Sequence, residues 1–151
     1  MSQKKRGAPP KFSSPKKMQR MVDAYFDSCK GRILETEDPE TGTMQPVLDK
    51  YGQPVIVDAH PPTVTGLALY LGFSGRSGFL NYQGKEGFKD VYDRALSRVE
   101  QYTEERLFDR DGVQGAKFSL ANNFKNWSEK QELNVGNQEN ETFKVDIKVI
   151  D

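Results

Sequence analysis

Side chains able to do chemistry are few in this chain, and they are scattered. His60 is the single histidine and lies against Pro61 in a loop setting, whereas general acid–base work needs a base oriented within hydrogen-bond reach of a reacting group. Cys29 is the single cysteine. It ends the apolar series Met18, Met21, Val22, Tyr25, Phe26 and Cys29, so it is expected to be an inert buried thiol, and no His/Cys set has zinc spacing. Gly78 to Lys85 resembles a phosphate loop superficially, but it has one residue too many between the glycines, and Glu86 stands where a hydroxyl should hold magnesium. Gly72, Gly75 and Gly78 lack the βαβ setting of a dinucleotide fingerprint. Asp109 and Asp111, beside Gly112, read as a turn. No catalytic site, metal or cofactor is expected.

The remaining chemistry is recognition of a phosphate backbone and of base edges. Residues 1–20 carry Lys4, Lys5, Arg6, Lys11, Lys16, Lys17 and Arg20 and no acid, although the whole chain is neutral, with 22 basic and 22 acidic residues. A polyanion responds to such a local excess rather than to the total, so these cations are candidate phosphate contacts. A second candidate set follows the Gly72 turn. Arg76 suits guanine, Asn81 suits adenine, Ser77 contacts phosphate or base, Lys85 follows, and Ser74 is placed to cap the helix that would carry them. On this reading Arg76→Ala weakens specific DNA binding and leaves assembly intact.

The elements that must position these groups can be read from spacing. Residues 1–13, with Gly7, Pro9 and Pro10, read as a basic flexible arm. Ser14-Pro15 starts a helix and Gly31 ends it. From about 32 to 60 the apolar period shortens, and over 35–60 acids dominate: Glu35, Glu37, Asp38, Glu40, Asp49 and Asp58 against Lys50. This segment is expected to be a β-hairpin insertion turning between Asp49 and Pro54. Residues 64–82 read as a helix-turn-helix: Ala68 allows close helix approach, Gly72 supplies the turn, Leu67, Leu71 and Phe73 form the packing face, and Phe79 with Leu80 seats the second helix. A long helix is expected from about 85 to 108, and a shorter one carrying Ala116, Phe118, Leu120, Ala121 and Phe124 as far as Trp127. Segments 131–135 and 142–150 read as strands. The edge of the second would pair with its equivalent in another copy or with the hairpin of its own chain. The fold class is therefore mainly α with a β-hairpin insertion and a C-terminal strand region, divided into an arm (1–13), a helical domain (14–127) and a tail (128–151). The apolar runs are too short for a membrane span, and one cysteine fits a reducing cytosol.

The strings PPTVTGLALYLGFSGRSGFLNYQGKEGF (61–88), RVEQYTEERLFD (98–109) and GAKFSLANNFKNWSEKQE (115–132), preceded by the basic Gly-x-Pro-Pro-Lys-Phe of 7–12, resemble bacteriophage terminase small subunits. The resemblance implies a non-enzymatic, ring-forming homo-oligomer in the cytoplasm of an infected bacterium. Such a ring recognises double-stranded viral DNA and delivers it to the large subunit, which holds the ATPase and nuclease. It places DNA contacts on the arm and on the helix after Ser74, and self-association on the long helix and terminal strands. The acidic tail after Trp127 is the expected contact for the large subunit. The glycine-rich second helix and the acidic hairpin depart from an ordinary helix-turn-helix. Two other readings are a dimeric helix-turn-helix transcriptional regulator of a phage, distinguished by stoichiometry on a palindrome, and an adaptor that binds protein only, distinguished by insensitivity to salt.

Overall fold

The computed structural model describes residues 11–136 and 142–149, and the chain is mainly helical with small antiparallel strand pairs. It divides into two units, one ending at Ala95 and the other beginning at Leu96. Among the described residues no helix is long and apolar enough to cross a membrane.

In the first unit, α1 (Pro15–Cys29) begins as its sequence dictates. The Ser14 side chain accepts from the Lys17 amide and Pro15 occupies the first turn. Met18, Val22, Tyr25, Phe26 and Cys29 recur at helical spacing and are buried. Gly31, with φ +79°, turns the chain out of the helix into the insertion. The insertion leaves and returns at one point, where the His60 amide donates to the Cys29 carbonyl at 3.0 Å and Arg32 pairs with Asp58 at 2.8 Å.

Within the insertion, β1 (Arg32–Ile33) pairs with β4 (Ile56–Val57), and β2 (Glu35–Glu37) pairs with β3 (Met44–Pro46). The expected turn between Asp49 and Pro54 is present: the Asp49 amide donates to Gln53, the Val55 amide to Val47, and Leu48 bridges Pro54. It is one arm of a three-way junction rather than a simple hairpin. Leu34 donates to Val55 and accepts from Val47, so the 32–37 segment runs across the fork where the other two segments part.

Helix α2 (Val64–Tyr70) is capped by the Thr63 hydroxyl, which accepts from Gly66 at 2.9 Å. Tyr25 fastens this cap to α1, since its hydroxyl accepts from the Thr63 amide at 2.9 Å and donates to the Thr63 carbonyl at 3.2 Å. Gly72 (φ +85°) closes α2: its own amide reaches Leu69 and the Phe73 amide reaches Ala68. Next come α3 (Arg76–Leu80), a 3₁₀ turn over Asn81–Gly84, and α4 (Lys89–Glu105), whose residues up to Ala95 belong to this unit. The long helix thus starts later than its apolar stripe implies, because Gly87 takes φ +82° and interrupts the approach. It also stops at Glu105, with 106–108 tightening into a 3₁₀ turn.

An aromatic cluster holds the unit together. Phe79 contacts Phe73 and Tyr92 at ring separations of 5.8 and 4.9 Å, and Tyr82 contacts Phe73 and Phe88 at 5.6 and 5.2 Å. Gly78, one of the glycines that set the second helix apart from an ordinary helix-turn-helix, lets Phe73 lie close: a Cβ there would sit 3.3 Å from that ring. Burial raises Tyr25 and Tyr92 above the ordinary tyrosine range. Folding therefore favours the neutral phenols, whereas the unfolded chain ionises at about pH 10. Stability from these two groups is fully present below that pH and declines as pH rises toward the higher folded values. The urea midpoint is accordingly expected to fall between about pH 9 and about pH 11, and Tyr92→Phe to flatten the decline. An equally steep decline in that variant would show that Tyr92 is not a source of it.

In the second unit, Val99 and Thr103 of α4 and Ala116 and Leu120 of α5 (Val113–Asn123) are buried, and the Trp127 indole donates to Glu100 at 2.7 Å. Phe118, one of the apolar residues this helix is expected to carry, is exposed. At about 100° per residue it lies roughly 200° from both Ala116 and Leu120, so it cannot share their face. Strands β5 (Glu129–Gly136) and β6 (Thr142–Val149) pair antiparallel along their full length, from Glu129↔Val149 to Gly136↔Thr142. Within the chain, β6 therefore takes as its partner not the insertion but β5, the strand nearest in sequence, which has the smallest loop-closure cost.

Candidate nucleic-acid interface

Lys4, Lys5 and Arg6 lie outside the described residues. The described end of the basic segment is not a free arm. Phe12 is 6% exposed and packs edge-on to Phe73 and Tyr82, and its amide donates to the Tyr82 hydroxyl at 3.3 Å. Lys11 donates to the Gly72 carbonyl, and its Nζ stands 5.0 Å from the centre of the Phe73 ring. The two residues clasp the turn that joins α2 to α3. One aromatic residue in an otherwise polar arm is the only sequence signal for this clasp.

Lys16, Lys17 and Arg20 are exposed on the first turns of α1. Lys11, Lys17 and Arg20, with Phe12, Ser13 and Met21, line an open groove of about 460 Å³. Its walls therefore hold three cations and no carboxylate. Asp23, the first acid along α1, accepts from Gln19 at 3.0 Å. Cations of one sign around a concavity with apolar walls reinforce one another's field and draw in a polyanion.

The second candidate set is arranged differently from its expectation. Helix α3 is five residues long and is capped by Gly75 with no side-chain hydrogen bond. Ser74 therefore lies one position too early to cap it, and is exposed. Ser77 and Asn81 are also exposed, as an outward face requires. Arg76 is half-buried, close enough to Tyr92 for its charge to favour the phenolate and partly offset the effect of burial. Lys85 is half-buried too, with Nζ 5.7 Å from the Tyr82 ring centre. None of these residues lines the groove on α1. The structure thus resolves the twelve candidates into three that line the groove, Lys16 beside them on α1, five at and after the Gly72 turn, and three outside the described residues.

Elsewhere in the first unit, His60 is exposed, with Nδ1 3.4 Å from the Pro61 carbonyl. Cys29 is buried. Among the described residues no three His, Cys, Asp or Glu side chains converge as a metal site would require. In the second unit an open concavity of about 490 Å³ takes Lys125 and Lys148 from separate elements, together with Asn122 and Asn123.

Neither the curated proteins nor the solved structures contain a match to the chain. The family model described as DNA-packaging protein gp3 matches residues 7–133, a span that takes in the groove, the clasped turn, α3, α4 and α5. A match over that much of its length means that the chain belongs to this family of phage DNA-packaging proteins.

Proposed function

We propose that the chain is the small, DNA-recognising subunit of a phage terminase. It acts as a homo-oligomeric ring in the cytoplasm of the infected host and passes double-stranded viral DNA to the large subunit, which carries the enzymatic work. The carrying observation is the acid-free cationic groove of Lys11, Lys17 and Arg20, clasped to the turn between α2 and α3 in a chain of a DNA-packaging family. In this reading the groove cations, Lys16 and the arm residues Lys4, Lys5 and Arg6 neutralise phosphates and set affinity. Helices α2 and α3 act as a compact helix-turn-helix, with Ser74, Arg76, Ser77, Asn81 and Lys85 facing the DNA.

A helix of five residues rises only about 7.5 Å, so it reads few base edges by itself. Phosphate contacts then carry most of the binding, and repetition around a ring multiplies weak contacts through effective concentration.

Lys17→Ala combined with Arg20→Ala tests this reading. Both side chains are exposed, so the fold is expected to be unaffected. Affinity for viral and random duplexes should fall together, and the slope of log affinity against log salt should shrink by about 2. An unchanged slope would remove the groove from the interface and leave α3 to carry DNA binding without it.

A further inference from the structure

We infer that the acidic, apolar face of the β-insertion docks into the cationic groove on α1 of a second copy of the chain.

The insertion has two sides, and burial tells them apart. Leu34, Val47, Val55 and Val57 are half-buried around the three-way junction. The residues alternating with them are turned out: Ile33 is 45% exposed, Leu48 55% and Ile56 52%, while Met44, in a strand pair exposed on both sides, is 59% exposed. Ile33 and Ile56 are registered partners in the β1–β4 pair, and Glu37 is registered with Met44 in the β2–β3 pair. A period of two puts Ile33, Glu35 and Glu37 on one side of their segment. The outward face is therefore aliphatic with two carboxylates set into it. Pairs of two and three residues cannot bury a core of their own, and exposed aliphatic side chains gathered on one insertion mark an interaction surface.

The groove has the complementary make-up. It presents Lys11, Lys17 and Arg20 around Met21, which is itself 37% exposed in the middle of a charged helix face. Spacing agrees as well as sign. Glu35 and Glu37 stand about 6.7 Å apart along a strand, and Lys17 and Arg20, three apart on a helix, stand about 5–6 Å apart at Cβ. The chain's own insertion does not fill its own groove, since no insertion residue is among the groove walls. Face and groove are different surfaces, so the contact runs head to tail and every copy offers one of each. Because Lys17 and Arg20 are also the phosphate contacts of the proposed function, DNA and the second copy compete for the groove, and the docked form is a DNA-free assembly distinct from the ring proposed on DNA. That competition is the only part of the inference that rests on the DNA reading.

The test uses the full chain and two charge-reversed variants, Glu35→Lys with Glu37→Lys, and Lys17→Glu with Arg20→Glu, followed by light scattering after size exclusion. Each variant alone is expected to self-associate about tenfold more weakly than the wild type, and an equimolar mixture of the two is expected to recover association, because reversed face then meets reversed groove. Wild-type mass in both variants, or failure of the mixture to recover it, overturns the inference. If the lysine pair prevents folding, Glu35→Gln with Glu37→Gln supplies the same reading without reversed charge. Measured beside it, this neutral variant should also bind duplex DNA more tightly as the competitor weakens. Weaker association with unchanged DNA affinity upholds the docking and overturns the shared groove. Unchanged DNA affinity in the groove variant would count against the proposed function and the shared groove, and leave the docking to be judged by mass.

Discussion

Replacing Phe79 by alanine is expected to lower the unfolding free energy by about 3–5 kcal/mol, the range for emptying a buried aromatic site. Phe79 is 0% exposed and is the only buried residue of α3. Its ring joins Phe73, from the turn after α2, to Tyr92 of α4. A helix of five residues is far below the length that is stable by itself, so packing through this one side chain holds α3 in place. The cavity would open among aromatic rings, which cannot collapse into it without breaking their edge-on contacts. Urea unfolding followed by circular dichroism measures the loss, and Phe79→Leu, which keeps most of the volume, should cost much less. If alanine cost under about 1 kcal/mol, α3 would be held by something other than this contact. Under the proposed function, the same substitution should weaken discrimination between viral and random DNA more than it weakens binding to either.

Gly31→Ala is expected to cost about 2–4 kcal/mol, concentrated in the seating of the insertion. Two effects add at this position. Its φ of +79° lies in the left-handed region, which costs an L-residue about 1–2 kcal/mol. A Cβ would also stand 2.5 Å from the Val57 carbonyl oxygen, 2.8 Å from the Ala59 amide nitrogen and 2.9 Å from Ile56 Cγ2. Two of those three atoms are backbone and cannot rotate away, so the strand leaving α1 and the one returning must separate. Gly52→Ala isolates the first effect, because Gly52 has φ +77° and nothing within 4 Å of its Cβ position. Hydrogen exchange should quicken at the Leu34, Val47 and Val55 amides in the Gly31 variant and stay near wild type in the Gly52 variant. Equal behaviour of the two would mean that the close approach at Gly31 contributes nothing.

Several features of the fold could be read before any coordinates. The start of α1 at Ser14-Pro15, the Gly72 turn, the burial of Leu67, Ala68, Leu71 and Phe79, and the exposure of Ser77 and Asn81 follow from signals a few residues long. The misread features depend on contacts distant in sequence or on the geometry of a single turn. Phe12 meets Tyr82 across 70 residues and Lys11 meets Gly72 across 61, separations that no local pattern encodes. Ser74 has the right chemistry for a cap, but α3 begins one residue too late to use it. Phe118 adds hydrophobicity to α5 while pointing away from its buried side.

By itself the amino-acid sequence determined the helical class, both ends of α1, the Gly72 turn, and the segregation of cations at one end of the chain from carboxylates in the insertion. Those properties arise from hydrogen bonds between a side chain and its own neighbouring backbone, from glycine's access to positive φ, and from covalent order. Only the tertiary structure decided which cations surround one groove, which face of the insertion meets solvent, and that β5 is the partner of β6. The first depends on burying apolar surface between segments far apart in the chain, and the other two on backbone pairing between strands. The aromatic clasp of Phe12 on Phe73 and Tyr82 is the clearest case, since that burial is what carries Lys11 to the same groove as Lys17 and Arg20.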